Sequence, residues 1–264
     1  MRDIVDKFKV RDKVALVTGG TSGLGRAIAV GMAQAGARVF AGSRDPAKVS
    51  DTLQLLRSIS ADNAALELDV ADPASVEAAF QRVRADAGRL DILVNAAGVT
   101  HRAPAMEMDL SDWDRVLRTN LTGTFLCSQA AARIMKENGG GAILNIASLA
   151  SYVGLAWVAA YVASKAAVKG LTQVLAVEWA EYNIRVNALA PGVFPTPLNR
   201  PLIEGTPRGE WLKHHAPMDR FGEPEELVGA AIFLCSPAAS FITGETLAVD
   251  GGFLACGVPA HPPA

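Results

Sequence analysis

VALVTGGTSGLG, residues 14–25, begins as an apolar, β-branched run and ends in glycines at 19, 23 and 25. The run 14–18 reads as a strand and the segment 24–35 as a helix, so the glycines fall where one becomes the other. Glycine permits positive φ and close approach of the backbone, and a helix N-terminus offers free N–H groups and a partial positive charge. Gly19, Thr21, Ser22, Gly23, Leu24 and Gly25 are therefore candidates for cradling a pyrophosphate. A tight turn needed only for packing is the plainer alternative, because the spacing is G-x-x-x-G-x-G rather than G-x-G-x-x-G. Its position after the first strand and before a helix favours a dinucleotide.

Working outward, short apolar runs recur at 38–42, 64–68, 92–95, 142–146, 185–189 and 245–249, each expected to be a strand. Uniformly apolar strands suit a sheet covered on both faces. Segments of helical period lie between them at 72–87, 112–138, 161–181 and 225–234. Ser111, with Asp114 three residues on, resembles a capped helix start, and Pro224 suits a first helical position. The alternation specifies an α/β fold: one Rossmann-like, doubly wound parallel sheet of about seven strands with helices on both faces. The proline-rich stretch 192–222 is the one long irregular segment, expected to be a lid or substrate-binding loop. There is no internal repeat, and the only biased segment is the short tail 259–264.

The 264 residues are half apolar and one-fifth charged, which suits a single globular domain spanning 1–264. Lys plus Arg number 25 against 27 Asp plus Glu, so nucleic acid is not an expected partner. No run is long enough to span a bilayer and the opening residues lack the apolar stretch of a secretory signal, so a cytoplasmic location is expected. Cys127, Cys235 and Cys256 are odd in number and far apart, consistent with free, mostly core thiols. His214 and His215 are adjacent rather than four apart, and no metal site is expected.

Where an acid would hold the ribose 2′-hydroxyl of NAD, the second strand ends in Gly42-Ser43-Arg44. A hydroxyl and a guanidinium fork suit a 2′-phosphate, so NADP is expected, with NAD possible; the alternative is that Arg44 is a solvated loop residue. Asp69, Asn95, Gly98 and Ser148 fall at carboxyl ends of strands, the edge where ligands bind in open α/β sheets. Tyr161 and Lys165 are one helical turn apart and can share a face. A nearby ammonium favours phenolate and lowers the phenol's pKa, Ser148 could bond a substrate oxygen, and Asn120 could hold a water linking Lys165 to solvent. Taken singly, each has a plain alternative as a helix-face, turn or backbone-satisfying residue.

Taken in order, TGGTSGLG, NAAG (95–98), Asn120, Ser148, YVASK (161–165) and Pro191-Gly192 resemble the short-chain dehydrogenase/reductase family over almost the whole chain. The resemblance implies Asn120, Ser148, Tyr161 and Lys165 as the catalytic set. It implies further that Lys165 holds the nicotinamide ribose, Asp69 and Val70 lie at the adenine, and Asn95 braces the central strand. Ala96, Gly98, Pro191, Gly192, Val193 and Thr196 complete the implied cofactor set. Ala96 departs from the second asparagine more usual there.

Stretches 98–104, 151–158 and 192–222, with the ending 247–255, resemble the gluconate 5-dehydrogenase and 2-dehydro-3-deoxygluconate dehydrogenase branch. Arg102, just past a strand end, either pairs with a sugar-acid carboxylate or is a surface arginine. Trp157 and Phe194 either line the pocket or pack. A small-molecule substrate is expected, and the implied reaction interconverts a secondary alcohol and a ketone on a sugar acid such as gluconate. The alternatives are a 3-oxoacyl-thioester reductase and, in another class, a non-catalytic NADP-sensing protein. Helices 112–138 and 161–181 are apolar beyond one stripe, so a homotetramer or dimer is expected.

Overall fold

Alternate residues of the central strands face opposite layers. The computed structural model describes residues 4–197 and 199–257, so the tail 259–264 lies outside the described residues. In chain order the elements are β1 (Val14–Thr18), α1 (Gly23–Gln34), β2 (Arg38–Ser43), α2 (Pro46–Ile59), β3 (Ala64–Glu67), α3 (Pro73–Ala87) and β4 (Ile92–Asn95). There follow α4 (Leu110–Leu117), α5 (Gly123–Glu137), β5 (Gly141–Ile146), α6 (Ala159–Trp179), β6 (Ile184–Pro191), α7 (Arg200–Ile203), α8 (Pro207–His215), α9 (Val228–Cys235) and β7 (Thr246–Val249).

Ala15, Val17, Val39, Ala41, Val94 and Leu144 pack with Ile28 and Met32 of α1 and Leu234 of α9. Leu16, Phe40, Leu93 and Ile143 point the other way, onto Phe80 of α3, Met135 of α5 and Leu175 of α6. Successive Cβ atoms alternate across a strand, so a run apolar at every position builds two cores at once. Each fully buried side chain of the size of Leu16 or Ile143 is worth about 1.5–3 kcal/mol in burial.

The seven strands lie in the order β3-β2-β1-β4-β5-β6-β7, and every pair is parallel. The chain winds outward from β1 to β3, then crosses back to place β4 on the other side of β1. That reversal opens a crevice at the carboxyl ends of β1 and β4, where such sheets bind ligands. Arg185 of β6 donates to the carbonyls of Leu234 at 2.8 Å, Ser236 at 3.1 Å and Ile242 at 3.3 Å, capping the end of α9.

Several boundaries differ from the sequence reading. α2 was not expected; Asp45 caps it by accepting from Ala47 and Lys48 N–H, with Pro46 opening the helix. The run expected at 112–138 begins at Leu110, with Asp109 rather than Ser111 at the N-cap position. It is also interrupted at Arg118–Thr122 by a π-helical turn. The segment 192–222, expected to be irregular, contains α7 and α8. Pro224 does open a helical turn, a 3₁₀ turn to Leu227 that precedes α9.

Candidate active site

The glycine turn brings main-chain segments together that side chains would hold apart. Gly19 has φ +64°, and a Cβ there would sit 2.8 Å from the main chain of Ala97. A Cβ on Gly25 would collide with the Gly19 carbonyl. Ser22 stands at the N-cap of α1 without a side-chain cap, leaving that helix end to a ligand. Thr18 Oγ1 accepts from Ala96 and Ala97 N–H, each at 3.2 Å, locking the ends of β1 and β4 together.

A cavity of about 460 Å³ runs from this turn, past Ala96 and Gly98, to Ser148, Tyr161 and Lys165. Pro191, at the end of β6, and Gly192 and Thr196 beyond it form the opposite wall. Its size and its bare helix end fit a dinucleotide, with the pyrophosphate at the glycines and the reacting ring near Tyr161. The loop after β6 is braced by Asn199, whose Oδ1 accepts from Thr196 N at 2.8 Å and whose Nδ2 donates to the Phe194 carbonyl at 2.9 Å. Phe194 is buried and also walls a second cavity of about 380 Å³, beneath α8 and against Asp250 and Phe253.

Ser148, two residues past β5, caps the following turn by accepting from Ala150 N at 3.1 Å. Its hydroxyl also hydrogen-bonds the Tyr161 phenol. Burial pushes the Tyr161 pKa up, and the Ser148 bond only partly offsets this. The expected lowering by a lysine neighbour is therefore corrected for the cofactor-free chain. The physical reason is orientation: Lys165 Nζ donates to the Ile146 carbonyl at 2.6 Å, and burial pushes its own pKa down to about 8. Such a lysine remains largely charged at neutral pH, next to a phenol that remains protonated.

Asn120 is carried inward on the π-helical turn and is buried. Its Oδ1 accepts from Val99 N at 2.8 Å, and its Nδ2 donates to the Val99 carbonyl at 2.9 Å and to Ser164 Oγ at 3.0 Å. The side chain thus holds the loop after β4 against α6. A Cβ on Gly98 would stand 3.4 Å from Asn120 Oδ1 and 3.8 Å from Lys165 Nζ, which places both groups beside that glycine. Asn95 donates to Ser128 Oγ and Asn145 Oδ1, both at 2.9 Å, and Asn145 donates to Thr172 Oγ1. This buried ladder ties β4 and β5 to α5 and α6.

Other expected residues lie apart from that cavity's wall. Ser43 is half-buried and accepts from Asp45 N at 3.3 Å, and Arg44 is exposed. Asp69 accepts from Ala71 N at 2.9 Å, and Val70 is buried where a Cβ on Gly123 would meet it. Thr21 is buried in the glycine turn, and Val193 lines the second cavity. Trp157 is about half exposed and carries Arg102 over its ring. Sequence reasoning missed Lys48 and Asn199, both in the cavity wall. The Asp45-Pro46 pair is the signal that would have revealed α2 and hence Lys48.

Cys127 and Cys235 are buried free thiols whose pKa burial pushes up to about 12, which leaves them inert at neutral pH. No helix among the described residues is long and apolar enough to cross a membrane.

A family model described as enoyl-(acyl carrier protein) reductase matches residues 19–254. The D-threitol dehydrogenase of Mycolicibacterium smegmatis is 46% identical over 93% of this chain and 94% of its own. The 2-dehydro-3-deoxy-D-gluconate 5-dehydrogenase of Formosa agariphila is 38% identical over 95% of this chain and 96% of its own. Among solved structures, the gluconate 5-dehydrogenase of Burkholderia cenocepacia, in complex with NADP and tartrate, superimposes with a TM-score of 0.92 at 40% identity, covering 96% of this chain and 99% of its own. With this fold, this glycine turn and this Ser148, Tyr161 and Lys165 grouping, the chain belongs to the short-chain dehydrogenase/reductase family, as an oxidoreductase acting on CH–OH groups.

Proposed function

We propose that the protein interconverts a secondary alcohol and a ketone on a polyhydroxy acid such as gluconate or 5-ketogluconate, with NADP preferred to NAD. One observation carries this reading: Ser148, Tyr161 and Lys165 meet at one end of a cavity whose other end is the glycine turn. When bound, the nicotinamide supplies or accepts the hydride.

In the reducing direction Ser148 and Tyr161 hydrogen-bond the carbonyl oxygen, and Tyr161 gives up its proton as negative charge develops there. Burial keeps the phenol protonated, which suits this acid role at neutral pH. Lys165 supplies positive charge beside the phenol, and Asn120 fixes the loop that closes the site. In the oxidising direction the same phenolate accepts the alcohol proton, so that direction is favoured as pH rises.

For the cofactor, Ser43 and Arg44 at the end of β2 receive the 2′-phosphate, Asp69 and Val70 lie at the adenine, and Lys48 adds a cation in the wall. For the substrate, the B. cenocepacia relative holds tartrate, a hydroxy dicarboxylate, which supports an acid and an anion-binding role for Arg102 with Trp157 beside it. Gly192, Phe194, Thr196, Pro197 and Asn199 form one wall of the cavity.

Val174 and Val177 on α6, with Phe125 on α5, expose apolar surface that fits a dimer or tetramer. Three free cysteines suit a reducing, cytoplasmic compartment. The test is a turnover panel with both cofactors against gluconate, 5-ketogluconate, D-threitol and acetoacetyl thioesters. Preference for the sugar acid with NADP supports the reading. Preference for the thioester makes the protein a 3-oxoacyl-thioester reductase, and cofactor binding without any turnover makes it a non-catalytic sensor.

A further inference from the structure

Ser148 and Tyr161 come from different elements, and the chain between them does not set their separation. It runs through a loop, residues 152–157, that is mostly exposed. The distance between the two hydroxyls is set instead by bonds that cross from the end of β5 to α6.

Lys165 receives two of these bonds, one at each end of the residue. Its Nζ donates to the Ile146 carbonyl at 2.6 Å, and its own carbonyl accepts from Ser151 Oγ at 2.7 Å. Ser148 lies between those two anchors in the sequence. Ser151 N also donates to the Ser148 carbonyl at 2.9 Å. One half-buried residue therefore ties the main chain of Ser148 to the main chain of Lys165. Because Lys165 stands one turn after Tyr161 in α6, the bridge holds the part of the helix that carries both side chains.

The two anchors differ in what they depend on. The first uses the ammonium, which the family resemblance also gives to the nicotinamide ribose. The second uses only a hydroxyl and a main-chain carbonyl, so it is independent of any ligand. A serine that serves only its own turn bonds to nearby backbone, as Ser148 Oγ does in accepting from Ala150 N. Ser151 reaches instead to another element, 14 residues along the chain.

We propose that Ser151 is a positioning residue for the reaction: by bridging the turn after β5 to α6, it holds the Ser148 hydroxyl against the Tyr161 phenol. The proposal rests on the roles given above to Ser148 and Tyr161, and it names the residue that keeps them in register. Misplacing reacting groups by about 1 Å can cost on the order of 10²-fold in rate, so a bond outside the site can govern turnover.

The experiment compares Ser151→Ala, Ser151→Thr, Ser148→Ala and the double variant Ser148→Ala with Ser151→Ala, using the best substrate of the turnover panel above. Ser151→Ala should lower kcat about 5- to 50-fold, while the dissociation constant for NADPH, read from fluorescence, stays within about threefold. The pH at which alcohol oxidation rises, or ketone reduction declines, should move upward, because the Ser148 bond lowers the Tyr161 pKa and its loosening removes that effect. The Lys165 ammonium, the charged group beside the phenol ring, is common to all four variants. Ser151→Thr keeps the hydroxyl and should recover most of the rate. In the Ser148→Ala background, Ser151→Ala should cost less than about twofold more, because the group it positions is gone. An unchanged kcat in Ser151→Ala, an equal fall in both backgrounds, an unmoved pH profile, or loss of NADPH binding together with turnover would each overturn the positioning role. A wild type without turnover, or full turnover in Ser148→Ala alone, would defeat the reading on which the proposal rests, and the proposal with it.

Discussion

Lys165 Nζ lies 5.7 Å from the centre of the Tyr161 ring while donating its hydrogen bond to the Ile146 carbonyl. An ammonium held this way is desolvated without a carboxylate to compensate it, and its pKa falls to about 8. Below that value it is protonated in both folded and unfolded chains, and the folded state bears the cost of burial. Between about 8 and the ordinary lysine range the unfolded chain binds the extra proton, so this group's contribution to stability rises with pH.

Lys165→Met is therefore expected to raise the melting temperature of the cofactor-free protein by a few °C at pH 7, roughly 2–4 °C per kcal/mol in a chain of this size. Loss of the bond to Ile146 offsets part of the gain. The advantage over wild type should shrink as pH rises from 8 to 10. Thermal unfolding across that range checks it, and an advantage that grows with pH contradicts the assignment. The same variant should bind cofactor more weakly.

Tyr161→Phe removes the proton donor with little change in volume. Turnover should fall about 10²- to 10⁴-fold while cofactor affinity, read from quenching of protein fluorescence, stays within about threefold. In the wild type, kcat/KM for alcohol oxidation should climb with pH and that for ketone reduction should decline, because burial raises the phenol's pKa. Near wild-type turnover in the phenylalanine variant would place the proton elsewhere.

For the cofactor, Ser43 ends β2 and Arg44 follows it, with no acid at either position to hold a bare ribose. A charge-assisted contact to the 2′-phosphate of about 1.5–3 kcal/mol corresponds to roughly 10- to 150-fold, and exposure of Arg44 draws the value to the lower end. NADP should be preferred to NAD, and the double change Ser43→Asp with Arg44→Ile should reverse the order. Comparison of kcat/KM for both cofactors at fixed ionic strength decides it. A wild type that works better with NAD removes the role given to Arg44.

On the outer surface, Val177 of α6 is 79% exposed and Val174 is 47% exposed. Light scattering at micromolar concentration should give a dimer or tetramer, and Val174→Glu with Val177→Glu should lower the mass. A monomeric wild type would leave this face without its expected partner.

Much of this architecture was legible because its signals are local. Apolar runs with crossover helices specified the parallel sheet, the glycines marked the turn after β1, and Tyr161 and Lys165 stand one turn apart on any helix. α2 was legible in principle, because Val49, Leu53, Leu56 and Ile59 recur at helical spacing after the Asp45-Pro46 start, although only Thr52 and Leu56 are fully buried. The inward turn at Asn120 escaped because RTNLT reads as ordinary helix, while the π-helical register depends on Thr119 and Thr124 taking up the carbonyls of Arg115 and Asn120.

The sequence by itself determined the alternation of strands and crossover helices, the glycine turn after β1 and the one-turn spacing of Tyr161 and Lys165. Only the tertiary structure decided that Lys165 points at Ile146, that burial raises rather than lowers the Tyr161 pKa, and that Asn120 is buried against the loop after β4. The physical reason is range: periodicity and capping act within a few residues, whereas desolvation and the field of a second charge are set by whatever the finished fold packs nearby.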